Sequence, residues 1–175
     1  MANLAVTYGS LEKYTEAEKL EKQVLFARKG ILGSEHPDTI LAMANLTVTY
    51  GSLGKYMEAV KLKKQVLYAR DTILGYQHPH TILAMENLAV TYGSLGRHTE
   101  AEKLEKQVLD ARNIILGVEH PHTIRAMANL ARTYVHLGNC NEAEKLEKQV
   151  LDARNRLLGG EHPATISAME SLAVT

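Results

Sequence analysis

A fixed period of 42 residues constrains this chain more than any other feature of its sequence. Short motifs such as Asn-Leu, Thr-Tyr and His-Pro return at that spacing without an insertion or a deletion. The Asn-Leu copies begin at Asn3, Asn45, Asn87 and Asn129, and the His-Pro copies begin at His36, His78, His120 and His162. A repeat of this length is typical of solenoids, in which one supersecondary unit stacks on copies of itself.

Each period carries the pattern of two helices. The first, which we call the A helix, is predicted to begin at Pro37, because a proline has no N–H to leave unpaired at the first helical position. Apolar residues then recur at helical spacing, and Gly54 can adopt the left-handed conformation that closes a helix. The apolar positions of this A helix are Ile40, Met43, Leu46, Tyr50 and Leu53.

The second helix of the period, the B helix, is predicted to start about three residues after that glycine. The segment from Thr15 to Glu18 matches a capping box, and Gly33 is predicted to end the helix. Its apolar positions are Ala17, Leu20, Val24, Ala27 and Ile31. A single helix pair cannot enclose its own apolar stripe, whereas stacked pairs can. The sequence therefore predicts an all-α solenoid.

The order N-L-A-x-T-Y-x-x-L-G-x-x-x-E-A resembles the tetratricopeptide signature, with Leu46, Tyr50, Gly54 and Ala59 at its Leu, Tyr, Gly and Ala positions. The long period and the segment L-G-x-E-H-P-x-T resemble the arrays of kinesin light chains and of fungal and bacterial NB-ARC or NACHT signalling ATPases. The resemblance implies a right-handed superhelix of antiparallel helix pairs. We expect a single solenoid segment over 1–175, with repeats at approximately 3–44, 45–86, 87–128 and 129–170 and a truncated helix at each end.

The resemblance also implies a binding surface, because the A helices of this family line the concave face. The positions that match are Asn45, Val48, Ser52, Glu86, Asn87, Val90, Ser94, Arg125, Asn129, Arg132 and His136. The recurring Asn would hold the backbone of an extended peptide through its two-way amide; alternatively, it braces neighbouring helices. Arg125 and Arg132 share a helix face and could receive a carboxylate, or they reflect drift on a solvated surface.

Composition narrows the choice of partner. Lys plus Arg and Asp plus Glu number 20 each, so the formal net charge is zero and no basic excess favours nucleic acid or anionic membrane. No stretch approaches the roughly 18 apolar residues of a spanning helix. The single cysteine, Cys140, gives no sign of an oxidising compartment. We expect a cytoplasmic protein with protein or peptide partners.

No group of residues in the sequence predicts catalysis, a metal site or a cofactor. The His-Pro histidines are interpreted as helix caps, since no cysteine or carboxylate cluster accompanies them. The Met column is predicted to fill the core, and the Arg column is predicted to tie neighbouring repeats together. These two columns are Met43, Met85, Met127 and Met169, and Arg28, Arg70, Arg112 and Arg154.

Two functional hypotheses remain open. The first is a protein-interaction or scaffolding module that binds a peptide or protein on the concave face. The alternative is a structural spacer or self-assembling array within a larger signalling protein. Both ends of the sequence keep the interior pattern of the repeat, which predicts head-to-tail association of copies.

Overall fold

The structure, a computed structural model, describes residues 13–174. Over this range the chain forms eight helices and no strand. The B helices are α1 Tyr14–Leu32, α3 Tyr56–Leu74, α5 His98–Leu116 and α7 Cys140–Leu158, and the A helices are α2 Pro37–Ser52, α4 Pro79–Ser94, α6 Pro121–His136 and α8 Pro163–Val174. The chain divides into two compact units, one ending at Thr91 and the other beginning at Tyr92. The first Asn of the repeat, Asn3, and the truncated helix predicted around it lie outside the described residues.

The A helices begin as predicted. In α2 the N-cap is His36, whose ring Nδ1 accepts a hydrogen bond from the backbone N–H of Asp38 at 3.2 Å, and Pro37 is the first helical residue. The same bond recurs at His78, His120 and His162. These rings satisfy a backbone donor that a helix start otherwise leaves unpaired. The predicted capping role of the histidines is confirmed.

The A helices also end as predicted. Gly54 comes after α2 with φ +69°, in the left-handed region. The N–H of Lys55 donates to the carbonyl of Tyr50 at 2.8 Å, and the N–H of Gly54 donates to that of Gly51 at 3.1 Å. This pair of bonds is the Schellman arrangement, which closes a helix when a residue without Cβ penalty occupies the left-handed position.

The predicted start of the B helices is wrong by one to two residues. Because the Schellman turn at Gly54 is so short, α3 is already helical at Tyr56. Helix α1 is likewise helical from Tyr14. Thr15 therefore lies inside the helix, and the N-cap residue is Lys13, which makes no side-chain capping bond. The capping box predicted from Thr15 to Glu18 does not form.

The core of the first unit lies between α1, α2 and α3. The A-helix stripe is buried as predicted at Ile40, Met43, Leu46 and Tyr50, and it packs on Ala59, Val66 and Ala69 of α3. Burial of this stripe supplies the main driving force, at about 25 cal/mol per Å² of apolar surface.

The B-helix stripe is only partly as predicted. Ala17 is buried, but Ala27 is exposed and Ile31 is 80% exposed. The equivalent of Ile31 in α3, Ile73, is also exposed. The B helices have 19 residues and the A helix α2 has 16, so the last turn of a B helix lacks an A-helix neighbour of matching length.

In the second unit, α6, α7 and α8 repeat this packing. Ile124 and Met127 pack with Val150 and Ala153 of α7, and Leu130 and Tyr134 pack with Ala143. The prediction that the Met column fills the core holds for Met43, Met85 and Met127, whereas Met169 of α8 is 41% exposed.

An arginine joins each B helix to the first turn of the next A helix. Arg28 donates from Nη1 to the carbonyl of Asp38 at 2.7 Å, and Arg70 donates to the carbonyl of His80 at 2.9 Å. Arg112 and Arg154 repeat the bond to His122 and Ala164, so the predicted tie by the Arg column is confirmed.

A second polar contact involves a glutamate in the first unit. The carboxylate of Glu18, which is buried in α1, pairs with Lys22 one turn later and with Lys55, each at 2.6 Å. Because Lys55 immediately precedes α3, this pair of bonds links successive B helices.

Replacing Gly54 by Ala is expected to lower the free energy of unfolding by about 1 kcal/mol, because a Cβ is strained at positive φ. Gly51, three residues earlier in α2, is the matched control. A Cβ there meets no atom within 4 Å, so Gly51→Ala is expected to raise that free energy by about 0.5 kcal/mol. Urea denaturation followed by circular dichroism measures both changes. Equal changes of the same sign would contradict the assigned turn.

Candidate functional site

A groove lies between the A helices α2 and α4 of the first unit. Its volume is about 220 Å³. One wall carries Ala44, Asn45, Thr47 and Val48 of α2, and the other carries Leu83, Ala84 and Asn87 of α4. The floor is formed by the B helix α3 through Lys63, Val66 and Arg70.

The second unit contains the equivalent groove between α6 and α8, with a volume of about 580 Å³. Its α6 wall carries Arg125, Ala128, Asn129, Arg132, Val135 and His136. The α7 floor carries Glu147, Val150 and Arg154, which are the repeat counterparts of Lys63, Val66 and Arg70. The opposite wall, on α8, includes Ser167, Ala168, Glu170 and Ser171.

These grooves bring together part of the predicted set. The first contains Asn45, Val48 and Asn87, and the second contains Arg125, Asn129, Arg132 and His136. Ser52 and Ser94 are exposed near the ends of their helices, Val90 is 56% exposed on α4, and Glu86 is half-buried. None of these four lines either groove.

The Asn column behaves differently in the two units. The side chains of Asn45 and Asn87 are exposed, and the structure gives neither amide a hydrogen bond to another residue within 13–174. Asn129 is half-buried, and its Oδ1 accepts a hydrogen bond from Arg132 at 3.3 Å. In the first unit the amides therefore remain available to a ligand.

The floor of the grooves is a feature that the sequence did not predict. The position occupied by Lys63 in α3 holds Glu21, Glu105 and Glu147 in the other B helices. The carboxylates of Glu21 and Glu105 hydrogen-bond to Thr49 and Thr133 of the following A helices. Lys63 instead donates from Nζ to Thr91 Oγ1 at 2.6 Å and to the backbone carbonyl of Asn87 at 3.0 Å. The sequence does show the exchange of Glu for Lys, but not that this position faces a groove.

Burial shifts the pKa of residues at this B-helix position and of Arg70. Desolvation raises the pKa of Glu21 and of Glu105, opposed only in part by their threonine hydrogen bonds. Desolvation lowers the pKa of Lys63 and of Arg70. In each case the cause is the same, because low-dielectric surroundings disfavour the charged form.

His136 makes a ring contact at the edge of the second groove. Its imidazole stacks on that of His98, with ring centroids 4.5 Å apart and an angle of 15° between the planes. His98 is the first residue of α5, so the contact joins the start of that helix to the end of α6. His136 is therefore held in place instead of extending freely from the helix.

The described part of the chain contains neither a metal-ligand cluster nor a membrane-spanning helix. Among residues 13–174, no three or more His, Cys, Asp or Glu side chains are grouped as metal ligands. No helix in the same range has both the length and the apolar character needed to cross a bilayer. The grooves can bind and orient a ligand through apolar walls, amides and charges.

Replacing Glu105 by Gln is expected to raise the free energy of unfolding at pH 7 by about 1 kcal/mol, since a desolvated charge is removed. Burial raises its pKa in the folded state above the ordinary 4.5, so its cost is complete above that raised pKa. The cost fades as the pH falls through the raised pKa towards 4.5, and the variant should lose its advantage near pH 3.

Glu18→Gln is the control, with the opposite sign. Its bonds to Lys22 and Lys55 lower the pKa of Glu18 in the folded state below 4.5. The stabilisation is therefore present above pH 4.5 and is lost as the pH falls through the lowered pKa. We expect a loss of about 1 kcal/mol at pH 7, because both lysines are partly solvated. Denaturant unfolding at the two pH values checks both variants, and a destabilised Glu105→Gln at pH 7 would contradict this interpretation.

Comparison with known proteins agrees with this architecture. Residues 1–72 and 48–114 match one family model described as tetratricopeptide repeat, and residues 123–164 match another with the same description. No protein with a curated functional description matches the sequence.

Solved structures give the same result. A kinesin light chain-like protein of Podosopora anserina, described as having nearly identical TPR-like repeats, is 31% identical, with a TM-score of 0.87 over 99% of this chain and 82% of that chain. BtubC (BKLC) from P. vanneervenii is 19% identical, with a TM-score of 0.81 over 98% of this chain and 68% of that one, and it supports the fold alone. The predicted all-α, tetratricopeptide-like solenoid fold and its likeness to kinesin light chain repeats are confirmed.

Proposed function

Because the chain belongs to the tetratricopeptide repeat family, we propose that it is a protein-interaction module that binds an extended peptide, or an extended segment of a protein, in the groove between α2 and α4 and in the groove between α6 and α8. The A helices line the binding face in this family, which supports placing the ligand in these grooves. The module works in the cytoplasm. It acts by recognition and scaffolding and carries no catalytic chemistry of its own.

The observation that carries this proposal is the pair of uncommitted amides in the first groove. Asn45 and Asn87 lie on opposite walls, and both side chains are exposed. An amide offers a donor and an acceptor together, which matches the N–H and C=O of an extended peptide backbone. Between them, Val48 and Leu83 expose apolar surface that a ligand side chain can cover.

A bracing role for the Asn column in the first unit has less support. A residue that braces two helices should hydrogen-bond across them, yet Asn45 and Asn87 make no such side-chain bond within the described residues. The helices there are joined instead by Arg28, Arg70 and the Glu18 ion pairs.

Replacing both Asn45 and Asn87 by Ala is expected to weaken capture of a bound peptide at least about tenfold, because each amide loses a backbone hydrogen bond worth about 1 kcal/mol. The free energy of unfolding should remain within about 0.5 kcal/mol of the parent, since both positions are solvent-exposed. Fluorescence polarisation with peptides selected from a random library measures the first quantity, and urea denaturation measures the second.

Asn113 and Asn155 provide the matched control, because both lie on B helices and line neither groove. The double variant Asn113→Ala, Asn155→Ala should bind like the parent. Loss of stability without loss of binding in the Asn45, Asn87 variant would show bracing and contradict the proposal.

A further inference from the structure

One position of the groove floor reverses its charge in a single repeat. Three B helices place a glutamate there, at Glu21, Glu105 and Glu147, and α3 places Lys63. Apart from this exchange the surrounding sequence is nearly the same, as K-L-E-K-Q-V-L becomes K-L-K-K-Q-V-L. The groove between α2 and α4 therefore has a cationic floor at a position where the other repeats carry a carboxylate.

The ammonium of Lys63 is held by uncharged partners. Its Nζ donates to Thr91 Oγ1 at 2.6 Å and to the carbonyl oxygen of Asn87 at 3.0 Å. An ammonium has three N–H donors, so one remains after these two bonds. No carboxylate within residues 13–174 forms an ion pair with it, and the side chain is half-buried.

The rest of the groove adds positive charge and no negative charge. Arg70 lies on the same floor, about two helical turns along α3 from Lys63, and no acidic residue of the described chain lines the groove. The pKa of both side chains is lowered by burial, which shows that their charges are poorly solvated where they are. A partly buried cation without an anionic partner is incompletely solvated, and a carboxylate brought by a ligand would offset that cost.

We propose that the groove between α2 and α4 selects an aspartate or glutamate side chain within the bound peptide, with Lys63 as the cation that receives its carboxylate and Arg70 beside it. This inference rests on the proposed peptide-binding function. Asn45 and Asn87 lie on the two walls and hold the backbone on either side, so the acidic residue is internal to the peptide and not its C-terminus.

The equivalent residue in the second unit shows the effect of the exchange. Glu147, which lines the floor of the groove between α6 and α8, is 8% exposed. A second carboxylate beside it would be repelled, whereas the same carboxylate beside Lys63 forms a charge-assisted bond. The groove with Lys63 therefore favours an acidic ligand side chain, whereas a groove with the common glutamate at this position disfavours it.

Selection from a library of random peptides, displayed on phage by their C-terminal ends, tests the proposal with the full chain as bait. Peptides that bind the parent chain should be enriched in Asp or Glu at one position. Lys63→Glu should abolish that enrichment, and it should fold because it restores the residue of three other repeats. Lys63→Met is a second variant, which removes the positive charge of the lysine without adding a negative charge. The matched control is Lys61→Glu, an equal charge change at an exposed position of the same helix, which should leave the enrichment intact.

A selected peptide is then synthesised with its acidic residue as Glu and as Gln, each with a free and an amidated C-terminus. The parent chain should bind the Gln peptide about tenfold or more weakly, as expected for a lost charge-assisted bond, and Lys63→Met should bind both equally. Amidation should change nothing; a loss on amidation would assign the carboxylate to the C-terminus and overturn the proposal.

Acidic enrichment that persists in Lys63→Glu, or that disappears equally in Lys61→Glu, would also overturn it. If peptides are selected without any acidic preference, this inference fails while peptide binding stands. If no peptide is selected by any form of the chain, the proposed function itself fails.

Discussion

The structure depends on the inability of one helix pair to bury its own apolar side. Met43, Leu46 and Tyr50 of α2 are covered only because α1 and α3 lie on either side of them within the first unit. The functional surface is a consequence of that constraint. With one side of each A helix used for packing, its opposite side is left exposed. Helices α2 and α4, like α6 and α8, form a groove above the B helix between them.

The polar side chains fall into two groups, those that join neighbouring helices and those that lie in the groove. Arginine and glutamate side chains such as Arg28 and Glu18 bond to neighbouring helices or turns and stabilise the stack. Asn45 and Asn87 lie in the groove of the first unit without such bonds. Because the repeats are otherwise so similar, a single exchange such as Glu to Lys at position 63 can change the chemistry of one groove without disturbing the packing around it.

The sequence could predict those features that local chemistry determines. The A helix α2 begins at Pro37 because a proline suits the first helical position and the His36 imidazole caps the helix start. It is followed by Gly54, which can adopt the left-handed conformation that closes a helix. The start of α1 was predicted wrongly because the capping-box pattern favours Thr15 as the N-cap, whereas the helix has already begun at Tyr14 and its N-cap, Lys13, makes no side-chain bond.

The candidate site was less accessible to sequence reasoning. Asn45, Asn87 and Asn129 were found from their place on the exposed side of the A helix, and the structure puts them in grooves. Lys63 was not predicted, and Arg70 was predicted only as a tie between repeats, because a B-helix residue reaches the groove only through the way that three helices pack. The single-segment organisation expected over 1–175 and the head-to-tail association stay predictions.

The most direct test of the central claim is a titration of the full chain with a selected peptide, followed by the side-chain amide resonances of its asparagines in NMR spectra. If the A-helix grooves bind the peptide, the amides of Asn45 and Asn87 shift, while those of Asn113 and Asn155 on the B helices do not. Shifts confined to Asn113 and Asn155 would place binding on the other side of the helix pairs and contradict the account.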